Sequence, residues 1–408
     1  MSVRDDRVSR PRIAVLGAGP VGLEAALAGV ERGYEVVVYE GASHPSANVR
    51  DWGHVQFFTP WSMNVSPRMR RHLDELGHPL EVDEEDSPTG HELADRALDP
   101  LWKDESLPIR LALDRRVLAI GREGLLKHEE IASRRRGRRA FRVLLRNAEG
   151  REELERAHIV IDCTGKYGNP NTLGDGGIPA PGEEALASRV GRRIPDVRSR
   201  PGDWRGRTVF LAGAGHSAQT AALHLAELAE GRGDTRIIWA LRRESPGWGA
   251  VEDDPLRLRK ELTDGARSLA AGASPAVEIL RGAAVEELAA ENGDTRVRLR
   301  LGDSGTEEVK VDRIVSLTGG VGDHALYRQL QVHECYATSG PMKLAAALLG
   351  DASGDCLEQG GHGAESLENP EPNFFILGDK SYGRNNTFLL RVGWQQVDEV
   401  FDRLAEER

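Results

Sequence analysis

The stretch Ile13–Glu40, IAVLGAGPVGLEAALAGVERGYEVVVYE, decides the fold. It has the pattern of an apolar strand, a glycine-rich turn, a helix and a second strand. In the turn, Gly17 permits a tight reversal, Gly19 lets a pyrophosphate approach the backbone, and Gly22 allows the helix to pack closely on the strand. The helix N-terminus offers free N–H groups and the positive end of its dipole to that pyrophosphate. The stretch therefore predicts a dinucleotide-binding βαβ unit.

An acidic residue stands at the end of the second strand. Glu40 follows Gly22 by 18 residues, about where a carboxylate accepts hydrogen bonds from an adenosine ribose. A glycine motif alone is weak, because a glycine-rich turn without a ligand has the same letters. Here the strand, the helix and the acid agree, and together they favour dinucleotide binding.

Length and composition limit the number of domains and the kinds of partner that the protein can have. The 408 residues are enough for the cores of two or three domains. No run approaches the ~20 apolar residues of a membrane span, and Met1–Arg10 lacks the apolar segment of a signal peptide. The net charge of −11 argues against a general nucleic-acid binder. We therefore expect a cytoplasmic protein without nucleic-acid or membrane partners.

The cysteine spacing and one basic run bear on redox, metal and nucleic-acid sites. The three cysteines, Cys163, Cys335 and Cys356, are far apart, which fits a reducing compartment and excludes a C-x-x-C redox pair or a zinc ribbon. We expect no metal site. The basic run Arg134–Arg139 permits a nucleic-acid patch, but its position at a predicted turn before a strand favours a solvated loop.

The opening pattern returns in the second half of the chain. Thr208–Ala212 predicts a strand, GAGHSA follows at 213–218, and a helix and a strand are predicted at Gln219–Glu230 and Arg236–Leu241. Each copy then continues through a long middle and a hairpin to a strand that ends in Thr-Gly. The first copy is 42 residues longer, mostly because of a Trp-rich stretch after Glu40. The repeat predicts an α/β fold with two Rossmann-like three-layer (ββα) dinucleotide-binding domains, and the unequal copies suggest two different nucleotides.

The C-terminal end supplies one more motif. Asn373–Leu377 is a predicted strand, followed by Gly378-Asp379 and by a helix from about Thr387 to Glu406. An aspartate at a strand tip before a helix is suited to hold a ribityl hydroxyl. For Lys380, Tyr382, Arg384 and Asn385, two roles stay open: they shape a substrate pocket, or they brace the loop that holds the cofactor.

At these motifs the sequence resembles flavoproteins with two dinucleotide-binding domains. That group includes flavin-containing monooxygenases, N-hydroxylating monooxygenases and thioredoxin-reductase-like enzymes. The resemblance rests on GAGPVG with Glu40, CTG at 163–165, GAGHSA at 213–218, LTGG at 317–320 and LGD at 377–379. It implies FAD in the first site and NAD(P)H in the second. It also implies that residues 10–170 and 318–408 form the FAD-binding domain, with the NAD(P)H-binding domain, 171–317, inserted between them.

The same resemblance assigns cofactor-binding residues. At the FAD site these are Gly17, Gly19, Pro20 and Gly22 around the pyrophosphate, Glu40 at the ribose, Val117 near the adenine, Asp379 at the ribityl chain, and Thr164, Gly165, Gly378 and Thr387. At the second site they are Gly213, Gly215, His216, Ser217 and Ala218.

The second copy carries arginines where the first has an acid. Arg242 and Arg243 follow its second strand. A carboxylate there would accept a hydrogen bond from the 2′-hydroxyl of NADH. Arginines can instead form ion pairs with the 2′-phosphate of NADPH. The pair therefore favours NADPH over NADH. The alternative is that both arginines only solvate a helix edge.

Candidate catalytic residues lie in the Trp-rich stretch. Asn64 resembles the asparagine that flavin-containing monooxygenases place near the reactive edge of the flavin, and a turn or helix-cap role is the alternative. His54 and Gln56 are polar candidates at the ring, on one face if the segment is extended. The stretch Trp52–Trp61 is rich enough in aromatic residues to line a dry pocket.

The expected function is that of an FAD-dependent, NADPH-using monooxygenase. It would oxygenate a small N- or S-nucleophile with O₂ through a C4a-hydroperoxyflavin, and a homodimer is compatible with this. The F-x-G-x-x-x-H fingerprint of flavin-containing monooxygenases is absent, since RPGDWRGR stands at Arg200–Arg207. One alternative is an NAD(P)H-dependent reductase of a disulfide, quinone or protein, although no cysteine pair is present and Cys163 suits a packing role. Another is a flavin-binding sensor or assembly subunit.

Overall fold

Two compact units make up the described chain. The computed structural model describes residues 10–131, 133–231, 234–302, 305–350, 357 and 360–406. Unit 1 contains the described residues up to Gly53, Pro60–Asn169, and the described residues from Val321 onward. Unit 2 contains His54–Thr59 and Pro170–Gly320. Unit 1 is thus built from three separate chain segments.

The strands of the described residues are numbered in chain order. They are β1 (Arg12–Leu16), β2 (Glu35–Tyr39), β3 (Ile109–Ala112), β4 (Arg116–Arg122), β5 (Phe141–Arg146), β6 (Glu152–Ala157), β7 (Ile159–Asp162), β8 (Val190–Gly191), β9 (Thr208–Ala212), β10 (Arg236–Leu241), β11 (Val277–Arg281), β12 (Ala283–Glu291), β13 (Asp294–Leu301), β14 (Thr306–Val311), β15 (Arg313–Ser316) and β16 (Phe374–Ile376).

The helices are numbered in the same way. They are α1 (Pro20–Glu31), α2 (Ala47–Asp51), α3 (Trp61–Asn64), α4 (Pro67–Glu75), α5 (Gly90–Leu93), α6 (Asp99–Lys103), α7 (Arg134–Gly137), α8 (His216–Glu230), α9 (Arg257–Ala270), α10 (Met342–Gly350), α11 (Ala364–Leu367) and α12 (Leu390–Glu406). A π-helical turn, Ala94–Leu98, joins α5 to α6, and a 3₁₀ turn, Gly378–Tyr382, follows β16. Within the ranges described, no helix combines the length and the apolar character needed to cross a membrane.

Each unit contains one five-stranded parallel sheet and one three-stranded antiparallel sheet. The parallel sheets have the orders β16-β7-β1-β2-β3 and β8-β15-β9-β10-β11. The antiparallel sheets are β4-β5-β6 and β12-β13-β14. The two orders correspond strand by strand, so the repeat expected from the sequence is confirmed. Parallel strands buried on both faces need continuous apolar runs, and β1, β2, β9 and β10 supply them.

The layers of unit 2 show why the fold is of the three-layer type. One face of the parallel sheet, including Phe210 and Ile238, packs on Val297 and other residues of the antiparallel sheet. The opposite face, including Leu211, packs on helical residues such as Leu225. Unit 1 repeats this arrangement, with its antiparallel sheet on one face of β1 and β2 and with α1 and α12 together on the other. The α/β class with two Rossmann-like three-layer folds is therefore confirmed.

Several elements differ from the sequence-based expectation. For His91–Trp102 the sequence predicts a single helix, but the structure divides this segment into α5, a π turn and α6. Strand β12 was not predicted, because AAVEELAAE has the composition of a helix. It pairs with β13 over its whole length, and tertiary pairing overrides local propensity. The last helix begins at Leu390, three residues after the predicted start, because the Thr387 amide and hydroxyl donate to the Asn385 side chain instead.

One arginine of the basic run Arg134–Arg139 is buried, while the other arginines of the run are exposed. Arg136 lies in α7 and its side chain is fully buried. It forms an ion pair with Glu371, which also pairs with the buried Arg122. The expectation of a solvated loop was wrong for this residue, because its partner lies more than 200 residues away in the sequence.

Candidate functional site

The turn after β1 leaves room beside the N-terminus of α1. Gly17 has a φ of +94°, which side-chain-bearing residues rarely adopt. A Cβ on Gly22 would overlap the carbonyl oxygen of Gly17, whereas a Cβ on Gly19 would meet nothing within 4 Å. Gly19 is the N-cap of α1, and no side chain caps this helix. The turn therefore offers uncapped N–H groups beside open space, a shape that fits a pyrophosphate.

Glu40 is held in place at the tip of β2. Its Oε2 accepts a hydrogen bond from the Ala18 amide at 2.8 Å, and its Oε1 accepts one from the Ala42 amide at 2.9 Å. The side chain stays half-exposed. Because a carboxylate has about four acceptor sites, this fixed side chain keeps capacity for the hydroxyls of a ribose.

Lys380 lies buried beneath the same edge of the sheet. Its Nζ donates to Asp162 Oδ2 at 2.6 Å, to the Asp323 carbonyl at 2.8 Å and to Thr164 Oγ1 at 3.2 Å. Neither Lys380 nor Asp162 exposes its side chain. Of the two roles left open by the sequence, these contacts favour bracing of the loop after β7. Tyr382 is buried as well, and its ring packs edge-on against Phe388.

Lys166 makes the opposite connection, from the loop after β7 to the loop after β16. Its Nζ lies 2.7 Å from Asp379 Oδ1 and donates to the carbonyls of Gly383 at 3.0 Å and Asn385 at 3.2 Å. Burial raises the pKa of Asp379, and the Lys166 ammonium counteracts part of that rise. Asp379 is thus a half-buried carboxylate with a fixed cationic partner.

The backbone before Asp379 is fixed from α12. Gln396 is buried; its Oε1 accepts from the Gly378 amide at 2.8 Å and its Nε2 donates to Ser381 Oγ at 3.0 Å. The Ser381 hydroxyl donates to the Gly378 carbonyl at 2.7 Å. The strand tip is therefore held by a closed set of hydrogen bonds.

The second glycine turn repeats the first. Gly213 has a φ of +125°, and a Cβ there would overlap the Leu317 carbonyl. A Cβ on Gly215, the uncapped N-cap of α8, would meet nothing within 4 Å. Ala218, which replaces the third glycine, is fully buried. This turn fits a second pyrophosphate in the same way.

Charge distinguishes the two turns. Arg242 follows β10 directly, in the position that Glu40 takes after β2, and Arg243 comes next. Both arginines are exposed. Neither one pairs with another residue in the part of the chain that the structure describes. Two cations thus stand at the strand tip of unit 2 where unit 1 has a hydrogen-bonded carboxylate.

The predicted catalytic residues fall in different units. Asn64 belongs to unit 1; it is buried, and its Nδ2 donates to the Pro60 carbonyl at 2.9 Å, a contact within its own turn. His54 and Gln56 belong to unit 2. They do not lie on a regular strand, since the chain turns and bends at residues 54 and 55. The even spacing that was to place them on one face therefore has no structural basis.

Segment 54–59 instead brings an aromatic ring to the second glycine turn. The rings of Phe58 and His216 meet edge-to-face at 5.2 Å between centroids. His216 is the first residue of α8, beside the exposed Ser217. Burial and the charge of Arg259 lower the pKa of His216, so its imidazole is neutral at pH 7. Phe58, which comes from the longer first copy of the repeat, thus packs against His216, the first residue after Gly213-Ala214-Gly215.

Three further predicted residues have clear surroundings. Val117 is buried in the core between the two sheets of unit 1. Burial and the Asp162 carboxylate raise the pKa of the Cys163 thiol well above its ordinary value, as expected for a packing role rather than a reactive thiolate. Gly165 has a φ of +68° in the turn after β7. Cys356 lies outside the described residues.

Sequence reasoning did not single out two residues of these sites. Lys166 follows the Thr-Gly turn without any motif of its own, and its partner Asp379 is in a distant part of the chain. Phe58 is one of several aromatic residues in Trp52–Trp61, and nothing in the sequence distinguishes it from the others. Only the folded chain shows that each touches a residue already assigned to a cofactor.

Comparisons of the sequence with known proteins do not identify a family for this chain. No protein-family model matches this chain. A stretch of 41 residues, 10% of the chain, is 54% identical to a probable N-methylproline demethylase of Rhizobium meliloti (strain 1021), but it spans only 6% of that protein's length. So short a match says nothing about the activity of the whole chain.

Solved structures match nearly the whole chain. The bacillithiol disulfide reductase of Bacillus cereus has 19% identity and a TM-score of 0.67, with 98% of this chain and 99% of that chain covered. An ornithine N-hydroxylase of Kutzneria sp. 744, in complex with reduced FAD, NADP⁺ and L-ornithine, has 16% identity and a TM-score of 0.62, with 98% and 99% covered. The thioredoxin reductase of Lactococcus lactis has 13% identity and a TM-score of 0.59, with 97% and 98% covered. This chain has the fold of these two-domain proteins, as the motif resemblance implied.

Proposed function

We propose that this protein is an FAD-dependent oxidoreductase that takes its electrons from NADPH. The observation that carries the proposal is the pair of equivalent glycine turns with opposite charges at their strand tips, Glu40 in unit 1 and Arg242 with Arg243 in unit 2. Two such turns fit two different dinucleotides. The ornithine N-hydroxylase complex, which contains FAD and NADP⁺ on the same fold, supports this assignment.

The proposal assigns one cofactor to each part of the chain. Residues 10–170 and 318–408 would form the FAD-binding domain, and residues 171–317 the NADPH-binding domain. In the first, the turn at Gly17–Gly22 would take the pyrophosphate, Glu40 the ribose and Asp379 the ribityl chain. FAD would supply the hydride acceptor and the electron transfer, while the protein binds and orients it.

For the second half of the reaction we infer oxygenation of a small N- or S-nucleophile. The support comes from the N-hydroxylases that share the fold. It also comes from the thiols: the described residues include two free cysteines, Cys163 and Cys335, and neither is paired with the other. The raised pKa of Cys163 keeps this thiol protonated at pH 7. A disulfide-exchanging thiolate is therefore not offered at the loop after β7.

A second candidate is a reductase that passes electrons to a disulfide or a quinone without oxygenation. The likeness of the whole chain to a bacillithiol disulfide reductase favours it. The two candidates share the reduction by NADPH and differ only in the acceptor.

One experiment tests the shared step and separates the acceptors. The purified protein is reduced with NADPH under nitrogen while flavin absorbance is followed, and it is then mixed with O₂, with a low-molecular-weight disulfide, or with a quinone. We expect bound flavin, bleaching by NADPH and fast reoxidation by O₂. Fast reoxidation by the disulfide or quinone alone would favour the reductase. A protein that binds no flavin, or whose flavin NADPH does not reduce, would contradict the whole proposal and favour a sensor or assembly role.

Coenzyme choice gives a quantitative prediction. Replacing Arg242 by Ala should lower kcat/KM for NADPH by roughly 10- to 100-fold, because a charge-assisted contact to the 2′-phosphate is lost. The value for NADH should change less than about threefold, since NADH has no such phosphate. Equal efficiencies of NADPH and NADH with the unmodified enzyme would refute the assignment of NADPH.

A further inference from the structure

Two ion pairs cross between the loops after β7 and β16. The end of β7 and the loop after it contribute Asp162, the last residue of that strand, and Lys166, and the loop after β16 contributes Asp379 and Lys380. Lys380 pairs with Asp162 at 2.6 Å, and Lys166 pairs with Asp379 at 2.7 Å. Each loop thus gives one carboxylate and one ammonium group to the other.

The hydrogen bonds of both ammonium groups are complete. An ammonium group has three donors. Those of Lys380 reach Asp162, Thr164 and the Asp323 carbonyl. Those of Lys166 reach Asp379 and two carbonyls further along the second loop. A buried charge is costly unless it is paired and hydrogen-bonded, and here both conditions are met for each lysine.

Asp379 is left with one acceptor atom to spare. Its Oδ1 is taken by Lys166. Its Oδ2 has no protein partner among the described residues, and a third of the side chain is exposed. The carboxylate is therefore oriented and half engaged, with its second oxygen available to a ligand hydroxyl.

We propose that these crossed ion pairs preassemble the FAD site, and that Lys166 is the residue that positions Asp379 for the ribityl chain. The inference rests on the proposed FAD function and goes beyond it by giving Lys166 a role. The reason is physical. Without Lys166, the half-buried Asp379 loses the one ionic partner it has among the described residues and one hydrogen bond. Its side chain is then free to change rotamer or to take up a proton. In either case the acceptor is no longer fixed where the cofactor needs it.

The test measures the affinity of the apoprotein for FAD. Flavin is removed from the full-length protein, FAD is titrated back, and the quenching of its fluorescence gives Kd. Lys166→Met should raise Kd roughly 10- to 100-fold, the effect of losing a hydrogen bond to a charged group. Lys343→Met is the matched control: it removes the same group from a surface pair with Glu368, and it should leave Kd within about twofold.

A double-variant cycle separates positioning from a general loss of structure. In the Asp379→Asn background, the further change Lys166→Met should alter Kd by less than about threefold, because the residue to be positioned no longer carries the charge. The melting temperature of each apoprotein shows that it is folded. If Lys166→Met does not fold, the comparison is made between Lys166→Arg, which keeps the cation and should bind FAD more tightly, and Lys166→Gln.

The outcomes distinguish this inference from the proposed function. A folded Lys166→Met protein with unchanged Kd would overturn the positioning role and leave the proposed function intact. Equal effects of Lys166→Met in both backgrounds would also overturn it, because Lys166 would then act independently of Asp379. An unmodified protein without measurable FAD affinity would overturn both.

Discussion

At the scale of single residues, His224 is a half-buried base whose protonation opposes folding. It lies in α8, and burial, together with the nearby charges of Arg198 and His54, lowers its pKa to about 4. In the unfolded chain a histidine titrates near its ordinary pKa of about 6.5. Between these two values the unfolded state binds a proton that the folded state does not. Stability is therefore lost as the pH falls from about 6.5 towards 4.

His224→Gln tests this linkage. Glutamine keeps the polar character of the side chain but takes up no proton. The drop in melting temperature between pH 7 and pH 5 should become smaller by about 2 °C or more. His78→Gln, at an exposed position, serves as the control and should leave the drop unchanged. An identical pH dependence in His224→Gln and in the unmodified protein would show that another group is responsible.

Some site residues could be predicted from the sequence and others could not. Gly17, Gly19, Glu40 and Gly213 were found because each belongs to a short motif whose geometry is set by its own neighbours. Lys166 could not be found in this way, since its carboxylate partner is brought to it only by the pairing of β16 with β7. Short motifs can be recognised in the sequence, whereas contacts between distant segments can be identified only in the folded structure.

At the scale of elements, segment 54–59 is the part of the enlarged first copy that belongs to unit 2. Its Phe58 ring meets His216 at the start of α8. We expect this contact to hold the imidazole beside the proposed NADPH site. The sequence pointed to this stretch as the extra material of the first copy, but it did not indicate which unit each part would join.

Removal of the ring should weaken nucleotide binding. Phe58→Ala takes away an aromatic contact worth about 0.5–1.5 kcal/mol, and we expect KM for NADPH to rise about 3- to 10-fold with a smaller change in kcat. Phe58→Leu, which keeps apolar bulk, should lie between Ala and the unmodified protein. Ile178→Ala, a truncation of an exposed residue in unit 2, is the control. An unchanged KM in Phe58→Ala would mean that the contact has no part in binding the nucleotide.

Some strands could be predicted from the sequence, whereas others depend on pairing with distant parts of the chain. Strands β9 and β10 were predicted with the bounds that the structure has, because each is an apolar run after one polar residue and is followed by turn residues. Strand β12 was missed, since its alanines and glutamates favour a helix and only pairing with β13 makes it a strand. Arg136 in α7 was expected to be solvated, because charge in a short run says nothing of a distant partner such as Glu371.

At the scale of the whole molecule, unit 1 depends on links between distant parts of the chain. Glu371, just before β16, accepts hydrogen bonds from Arg122 at the end of β4 and from Arg136 in α7, and all three side chains are fully buried. Two buried guanidinium groups share the carboxylate of Glu371, so the negative charge of this carboxylate compensates both of them. The cluster joins the last chain segment of unit 1 to the middle one.

Glu371→Gln should therefore destabilise the protein strongly. Removing one partner from a buried ion pair costs about 3–5 kcal/mol, because the remaining charge is left uncompensated. At about 2 °C per kcal/mol for a protein of this size, the melting temperature should fall by about 6 °C or more. Glu261→Gln, in an exposed pair with Arg257, should change it by less than about 1 °C. A similarly small change in Glu371→Gln would refute the structural role of the cluster.

The place of β16 in its sheet has a consequence for synthesis on the ribosome. This strand pairs with β7, yet it is made after the whole of unit 2. Until Phe374–Ile376 has left the exit tunnel, the backbone N–H and C=O groups on this side of β7 have no neighbouring strand to pair with. A chain that ends before residue 374 would keep this edge uncovered, and an uncovered strand edge is a template for pairing with another chain.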